Sequence, residues 1–169
     1  MTAVGQVKRA VAAAIKAAGC AAIESYSEEQ LKRYATAVAA VGTKETVIEE
    51  SGAAQYLGEK VDEATQKTVS VYGRKLLLTL LIEVYAPRTL GAAGCEKAAE
   101  TITQAMMTAL PEGLKLGSLQ WGKTGWDKTM GMFRLDASAK YAAYFVAEAA
   151  EDEKVFTDFV LKGTVKERE

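Results

Sequence analysis

The chain of 169 residues contains no histidine. That absence removes Ser-His-Asp and Cys-His catalysis, imidazole metal sites and histidine pH switches together. Cysteine is scarce as well. Cys20 and Cys95 lie far apart and form no CxxC pair. Two such residues in a chain this long read as small buried hydrophobes in a reducing cytoplasm, not as a disulfide framework. An excess of one charge is missing too: 21 basic and 22 acidic residues leave a net charge of −1. Gripping a phosphate backbone needs a concentrated basic surface. The densest basic pairs here, Lys8-Arg9 and Lys32-Arg33, are short and read as solvated helix faces. Nor is there an apolar run near the ~18 residues that span a bilayer. The longest, Leu76 to Ile82, is interrupted by Thr79.

The motif inventory is equally empty. GxGxxG, GxxxxGK[ST], GxSxG and HExxH are all absent, which removes the commonest nucleotide, nucleophile-elbow and zinc signatures. Glu28-Glu29 and Glu49-Glu50 are adjacent pairs, whose side chains point in different directions on a helix or strand and make poor acid/base couples. The acidic group Glu148, Glu151, Asp152 and Glu153 lacks the alternate spacing and central glycine of a calcium loop, and reads as a solvated turn. No catalytic residue, cofactor site or metal site is assigned.

With 49% hydrophobic and 25% charged residues, the composition fits one globular domain over residues 1–169. Residues 1–19 hold an amphipathic helix. At 100° per residue, Val4, Val7, Val11, Ile15 and Ala18 share one stripe, with Arg9 and Lys16 off it. Lys16 also cuts the apolar stretch too short for a secretory signal. Ser27 is placed to cap a short polar turn of helix. Thr36–Glu49 is rich in β-branched residues and predicts one strand with a bulge at Gly42, or a hairpin. Residues 51–67, with two glycines and many charges, read as a long loop carrying the apolar pair Tyr56-Leu57. Loops of that length carry function or disorder, here an arm reaching a partner or a neighbouring subunit.

Thr68–Ala86 gives the clearest strand signal. Leu76, Leu78, Leu80, Ile82 and Val84 alternate with a mixed set, as in a strand buried on one face and partly on the other. Pro87 ends it. Cys95, Ala98, Ala99, Ile102, Ala105, Met106 and Ala109 recur at helical spacing. Strands follow over 114–121, 132–147 and 156–165, with turn residues at 125–129 and a charged tail at 166–169. Grouped strands and separate helices predict an α+β fold: a mainly antiparallel sheet with two principal helices on one face. Among the aromatics, Trp121 reads as core. Trp126, Met130 and Met132 belong to a turn that reads as an exposed patch for another protein. With Tyr56 and Leu57, they are the candidate assembly residues.

These segments together resemble a family. The strand Val71-Tyr72-Gly73-Arg74-Lys75 runs through Leu78, Leu80 and Ile82 to Val84-Tyr85-Ala86-Pro87. Beside it stand the Gly94-Cys95-Glu96 helix start, Pro111-Glu112-Gly113-Leu114-Lys115, Gly131-Met132-Phe133-Arg134, Asp158 to Gly163, and the Tyr56-Leu57-Gly58 segment. Over roughly residues 36–165 this order resembles the tail-terminator (tail-completion) proteins of long-tailed bacteriophages, prophages and phage-tail-like bacteriocins. The resemblance implies an α+β structural protein in the virion tail, assembled in the bacterial cytoplasm. It further implies a hexameric ring of identical copies that caps the head-proximal end of the tail tube and stops its growth. The implied partners are the tube protein, a neck or head-completion protein and, in contractile tails, the last sheath ring. No membrane is implied, and DNA only passes through the lumen. Two alternatives stand beside it: another neck or tube component, and a soluble ligand-binding or regulatory α+β domain.

Overall fold

The computed structural model describes residues 3–50 and 55–149. Its architecture is α+β, with a mostly antiparallel sheet and two principal helices on one face. The elements in chain order are α1 (Ala3–Ala17), β1 (Ala21–Ile23), α2 (Glu28–Leu31), β2 (Val38–Glu50), β3 (Tyr56–Val61), β4 (Thr68–Pro87), α3 (Gly91–Thr108), β5 (Lys115–Trp121), β6 (Gly125–Asp127) and β7 (Met132–Ala149). The predicted strand over 156–165, the charged tail and most of the acidic turn lie outside the described residues.

β4 is the spine. β7 runs antiparallel along one edge for its full length, from Pro87↔Met132 to Ser70↔Ala149. Along the other edge β2 and β3 follow one another in the same direction, β2 opposite Tyr85 to Arg74 and β3 opposite Tyr72 to Thr68. β5 and β6 succeed one another along the outer edge of β7 in the same way. The strands therefore form five rows, closed at one side by β1, which pairs parallel with β2.

Alternation along β4 builds two cores. Leu76, Leu78, Leu80, Ile82, Val84 and Ala86 point to the helical face. There they meet Val7, Val11 and Ile15 of α1 and Cys95, Ile102, Ala105 and Met106 of α3. These are the predicted stripes, fixed by the 3.6 and 2.0 periodicities of helix and strand. The Tyr141 hydroxyl donates to Met106 Sδ at 2.9 Å, locking the end of α3 to β7. α1 ends where Gly19 adopts φ +92°, its N–H bonding to Lys16 and that of Cys20 to Ile15, a left-handed termination that glycine makes cheap.

The opposite face carries a smaller core: Ile23, Leu31, Val38, Ala40, Tyr85, Met130 and Met132. A register shift between Thr43 and Glu45 separates the two uses of β2. Before it, Ala39 and Val41 belong to the helical core and Val38 and Ala40 to the smaller one. The bulge predicted at Gly42 thus exists one to two residues further on, in a single long strand, and the hairpin alternative does not hold.

Two expectations fail here. The long loop expected over 51–67 does not hold across its described part, 55–67: 56–61 form β3, and the turn beyond it is tight. Asp62 accepts from the Ala64 N–H at 2.8 Å and the Thr65 hydroxyl at 2.9 Å, and Gln66 N–H returns to the Asp62 carbonyl at 2.7 Å. Met130 and Met132 are not exposed either, being 4% and 5% accessible. The Asp127 carboxylate accepts from the Thr129 and Met130 N–H groups. That wraps the turn over the smaller core and seats both methionines against Tyr85.

Candidate assembly surface

The helices cover β4 only as far down as Leu76. Below it, Thr68–Lys75 with β3, the end of β2 and the end of β7 project as a three-row arm. β5 stops at the Lys115↔Ala142 pair and does not accompany it. Eight residues at ~3.3 Å per residue make the arm about 25 Å long. Its hairpin tip is the Asp62 turn.

The arm carries apolar side chains on both faces. The register fixes which: Ile48 pairs with Leu76 and Tyr56 with Tyr72, on the helical side. Val47 pairs with Leu77, and Tyr144 with Lys75, on the other. Val47, Ile48, Tyr56, Leu57, Val61 and Tyr144 are all exposed. Tyr56 packs edge-on against Tyr72 at 5.6 Å between ring centres, so its ring is presented in a fixed direction. Large apolar side chains are ordinarily solvent-exposed one at a time, and six on one thin projection form a surface of the kind that marks an interface.

Two further surfaces lie at the body end. Trp126 packs edge-on against Phe133 at 5.0 Å and keeps 43% of its surface exposed, as expected for an interface residue. It borders an open, largely polar pocket of about 430 Å³ with Lys123, Lys128 and Arg134. Arg134 is already engaged: its guanidinium lies 2.8 Å from Glu83 and 2.7 Å from Asp136, and its carbon sits 5.9 Å from the Tyr85 ring centre. The hydrogen bond to Asp136 raises its affinity for the proton further.

The second surface is a groove of about 500 Å³ between α3 and β5, bordered by Ala99, Glu100, Thr103, Gln104, Met107, Thr108 and Trp121. The surface it exposes is mostly apolar, with Glu100 and Gln104 supplying polar groups. Trp121 is half-buried, packed against the helical core, and its indole N–H donates to Thr103 Oγ1 at 2.9 Å. That bond satisfies the one polar atom of the ring and leaves a hydrocarbon wall. Met107, 75% accessible, stands at the rim.

No group of three His, Cys, Asp or Glu side chains converges among the described residues to hold a metal ion, and no described helix is long and apolar enough to cross a membrane. Both thiols are free and buried, as read from the sequence. Burial raises the Cys20 thiol, and pushes Cys95 up to about 11 despite an opposing hydrogen bond to the Ala86 backbone. A protonated thiol is a poor nucleophile.

Of the five candidate assembly residues, three are exposed: Tyr56 and Leu57 on the arm and Trp126 at the opposite end of the sheet. Met130 and Met132 are core. Sequence reasoning missed Val47, Ile48, Val61, Tyr144 and Met107. A signal existed for three of them: adjacent Val47 and Ile48 on a strand must point to opposite faces. Met107 likewise sits 100° off the buried stripe ending at Met106. No family model and no curated protein matches this chain.

Proposed function

We propose that the chain is a ring-forming structural subunit of a phage-tail-type particle, a terminator that caps the head-proximal end of the tail tube. One observation carries the reading: a well-formed β arm extends beyond the helices with apolar side chains on both faces. Val47, Ile48, Tyr56, Leu57, Val61 and Tyr144 stay exposed on it although Val69 is buried, and burying them against another subunit would release the cost of holding apolar side chains in water. Exposed apolar side chains on both faces of one arm suit contact with neighbouring copies, the arrangement a ring supplies. The order of segments over residues 36–165 supports the same class.

The mechanism is geometric. A contact between two different patches of identical subunits repeats around an axis until it closes. Once closed, the ring has used its lateral surfaces and retains two unlike faces. One seats on the last ring of the tube, and the other ends growth and receives the neck. Trp126, far from the arm, is available for such an axial contact. Electron microscopy of the purified chain with and without tube protein tests this: single rings and capped tube ends are expected. Extended polymers would instead make the chain a tube component, and dispersed single subunits would overturn the reading.

A further inference from the structure

We infer that residues 156–162 of the same chain, within the predicted strand over 156–165, add a row to the arm by pairing antiparallel with the outer edge of β7 over 143–149. The inference stands apart from the ring reading. It concerns which strand edge of the arm is closed and which stays open to another protein.

Three observations carry it. First, the edge needs a cover. β5 ends at the Lys115↔Ala142 pair, while β7 runs on to the Ser70↔Ala149 pair. Over 143–149, β7 has β4 on one side and, among the described residues, no strand on the other. Such an edge presents a row of N–H and C=O groups to any strand that arrives. The stretch Ala142-Ala-Tyr-Phe-Val-Ala147 holds no charge, proline or glycine, the composition that makes an open edge aggregate. Second, the following chain fits the place. β7 reaches the end of the arm at Ala149, so residues 150–155 are placed to turn and 156–162 to return opposite 149–143. A hairpin is the shortest connection between antiparallel strands. Gly163 then reaches the level of Ala142, where Lys115 takes over the row. Two strands in succession along one edge are what β2 and β3 already form beside β4. Third, the composition suits the arm. By alternation, a strand there would carry Phe159 and Leu161 on one face and Phe156 and Val160 on the other. The arm is likewise apolar on both faces. Asp158 and Lys162 would give the new outer edge the charges that the β7 stretch lacks. Repeated edge-to-edge addition of copies through the arm requires two open edges. Closing one of them stops it.

Residue-resolved hydrogen exchange on the full chain tests the pairing. All amides of 143–149 are expected to be protected, including the alternate ones that face away from β4. Phe159→Pro and Val160→Pro are made separately. Adjacent strand residues direct their N–H groups to opposite sides, so one of the two variants removes a donor to β7. That variant is expected to speed exchange at the outward amides roughly tenfold or more, while the amides of β4 stay protected and show that the body is folded. Rapid exchange at the outward amides of the unaltered chain would overturn the inference, as would unchanged protection in both variants. Cross-linking identifies the occupant. Glu148→Cys with Thr157→Cys is treated with a short bismaleimide, Cys20 and Cys95 being buried. One chain with an internal link is expected. Two chains joined would assign the edge to a second copy, and two thiols labelled separately would leave the edge without this segment; either overturns the inference. None of these readouts requires ring formation, so a failure of the ring reading is seen separately.

Discussion

Arg134 and Glu83 meet diagonally across the β7–β4 ladder, with guanidinium Nη2 2.8 Å from carboxylate Oε1. The Glu83 side chain is almost fully enclosed and also receives the Tyr85 hydroxyl at 3.3 Å. Arg134 further engages Asp136 and, more loosely, Asp127 at 3.8 Å. One cation thus organises three carboxylates beneath the turn that holds Met130 and Met132. Removing it leaves Glu83 charged and enclosed without a counter-ion, which costs more than an exposed pair would.

Arg134→Met is therefore expected to destabilise the fold by about 2–3 kcal/mol, at or just below the ~3–5 kcal/mol of a fully buried broken pair, since the guanidinium is itself partly exposed. Glu83→Gln combined with Arg134→Met should recover part of that loss. Urea denaturation of the two variants measures both terms. Equal losses in the single and double variants would mean that the unpaired carboxylate is not the cause.

Gly94 sits where the first turn of α3 is tightly packed, against its own N-cap residue Leu90 and Ala86 of β4. A Cβ there would stand 2.7 Å from Leu90 Cβ and 3.2 Å from Ala86 Cβ. Gly94→Ala should cost about 1–3 kcal/mol through overpacking, although alanine is the better helix former. A melting temperature that rises would show that the helix start shifts without penalty.

The body and the arm should respond oppositely to substitution. Leu80 is fully buried on the central strand, so Leu80→Asp places an unpaired charge in the main core and should abolish folding. Tyr56→Ala with Leu57→Ala removes exposed arm side chains. It should leave the circular dichroism spectrum unchanged and the melting temperature within a few degrees, while weakening assembly. Unfolding of this double variant would make the arm part of the monomer core.

Alkaline pH should erode stability. Burial raises the thiols of Cys20 and Cys95, and raises the hydroxyls of Tyr85 and Tyr141, with Glu83 adding to the effect at Tyr85. Each group keeps its proton in the folded chain at a pH where the unfolded chain has lost it. The unfolded state then binds fewer protons, so stability falls as pH rises. For Cys95 the fall runs from about pH 9 to about 11; the tyrosines add to it from about pH 10 upward. Thermal melts from pH 7 to 11 measure this, and Ellman's reagent should react with the thiols only after unfolding. A flat profile above pH 9 would contradict it.

Much of this architecture is legible in the residues. The first helix and the α3 stripe follow from 100° periodicity, and β4 from alternation, because each buries one side against a continuous core. The arm was not legible for the same reason. β3 is exposed along its length, so no core imposes alternation on Tyr56-Leu57-Gly58-Glu59-Lys60-Val61, and its charges and glycine resemble a loop. β5 shows an intermediate case. Leu114 and Leu116 lie out of phase with Leu119 and Trp121, and a bulge between Leu116 and Ser118 turns all four toward the helical core. That phase change is the sequence trace of a bulge. Met130 and Met132 carried no such trace, because their burial depends on Tyr85 and on elements distant in sequence.

The most direct measurement is sedimentation velocity of the purified chain across a wide concentration range, with the Tyr56→Ala, Leu57→Ala double variant beside it. Expected is one closed species of fixed copy number, near six, that persists on dilution, against a smaller species for the variant. A chain that sediments as a monomer at every concentration, or a variant that assembles as well as the original, would contradict an arm built to join neighbouring copies.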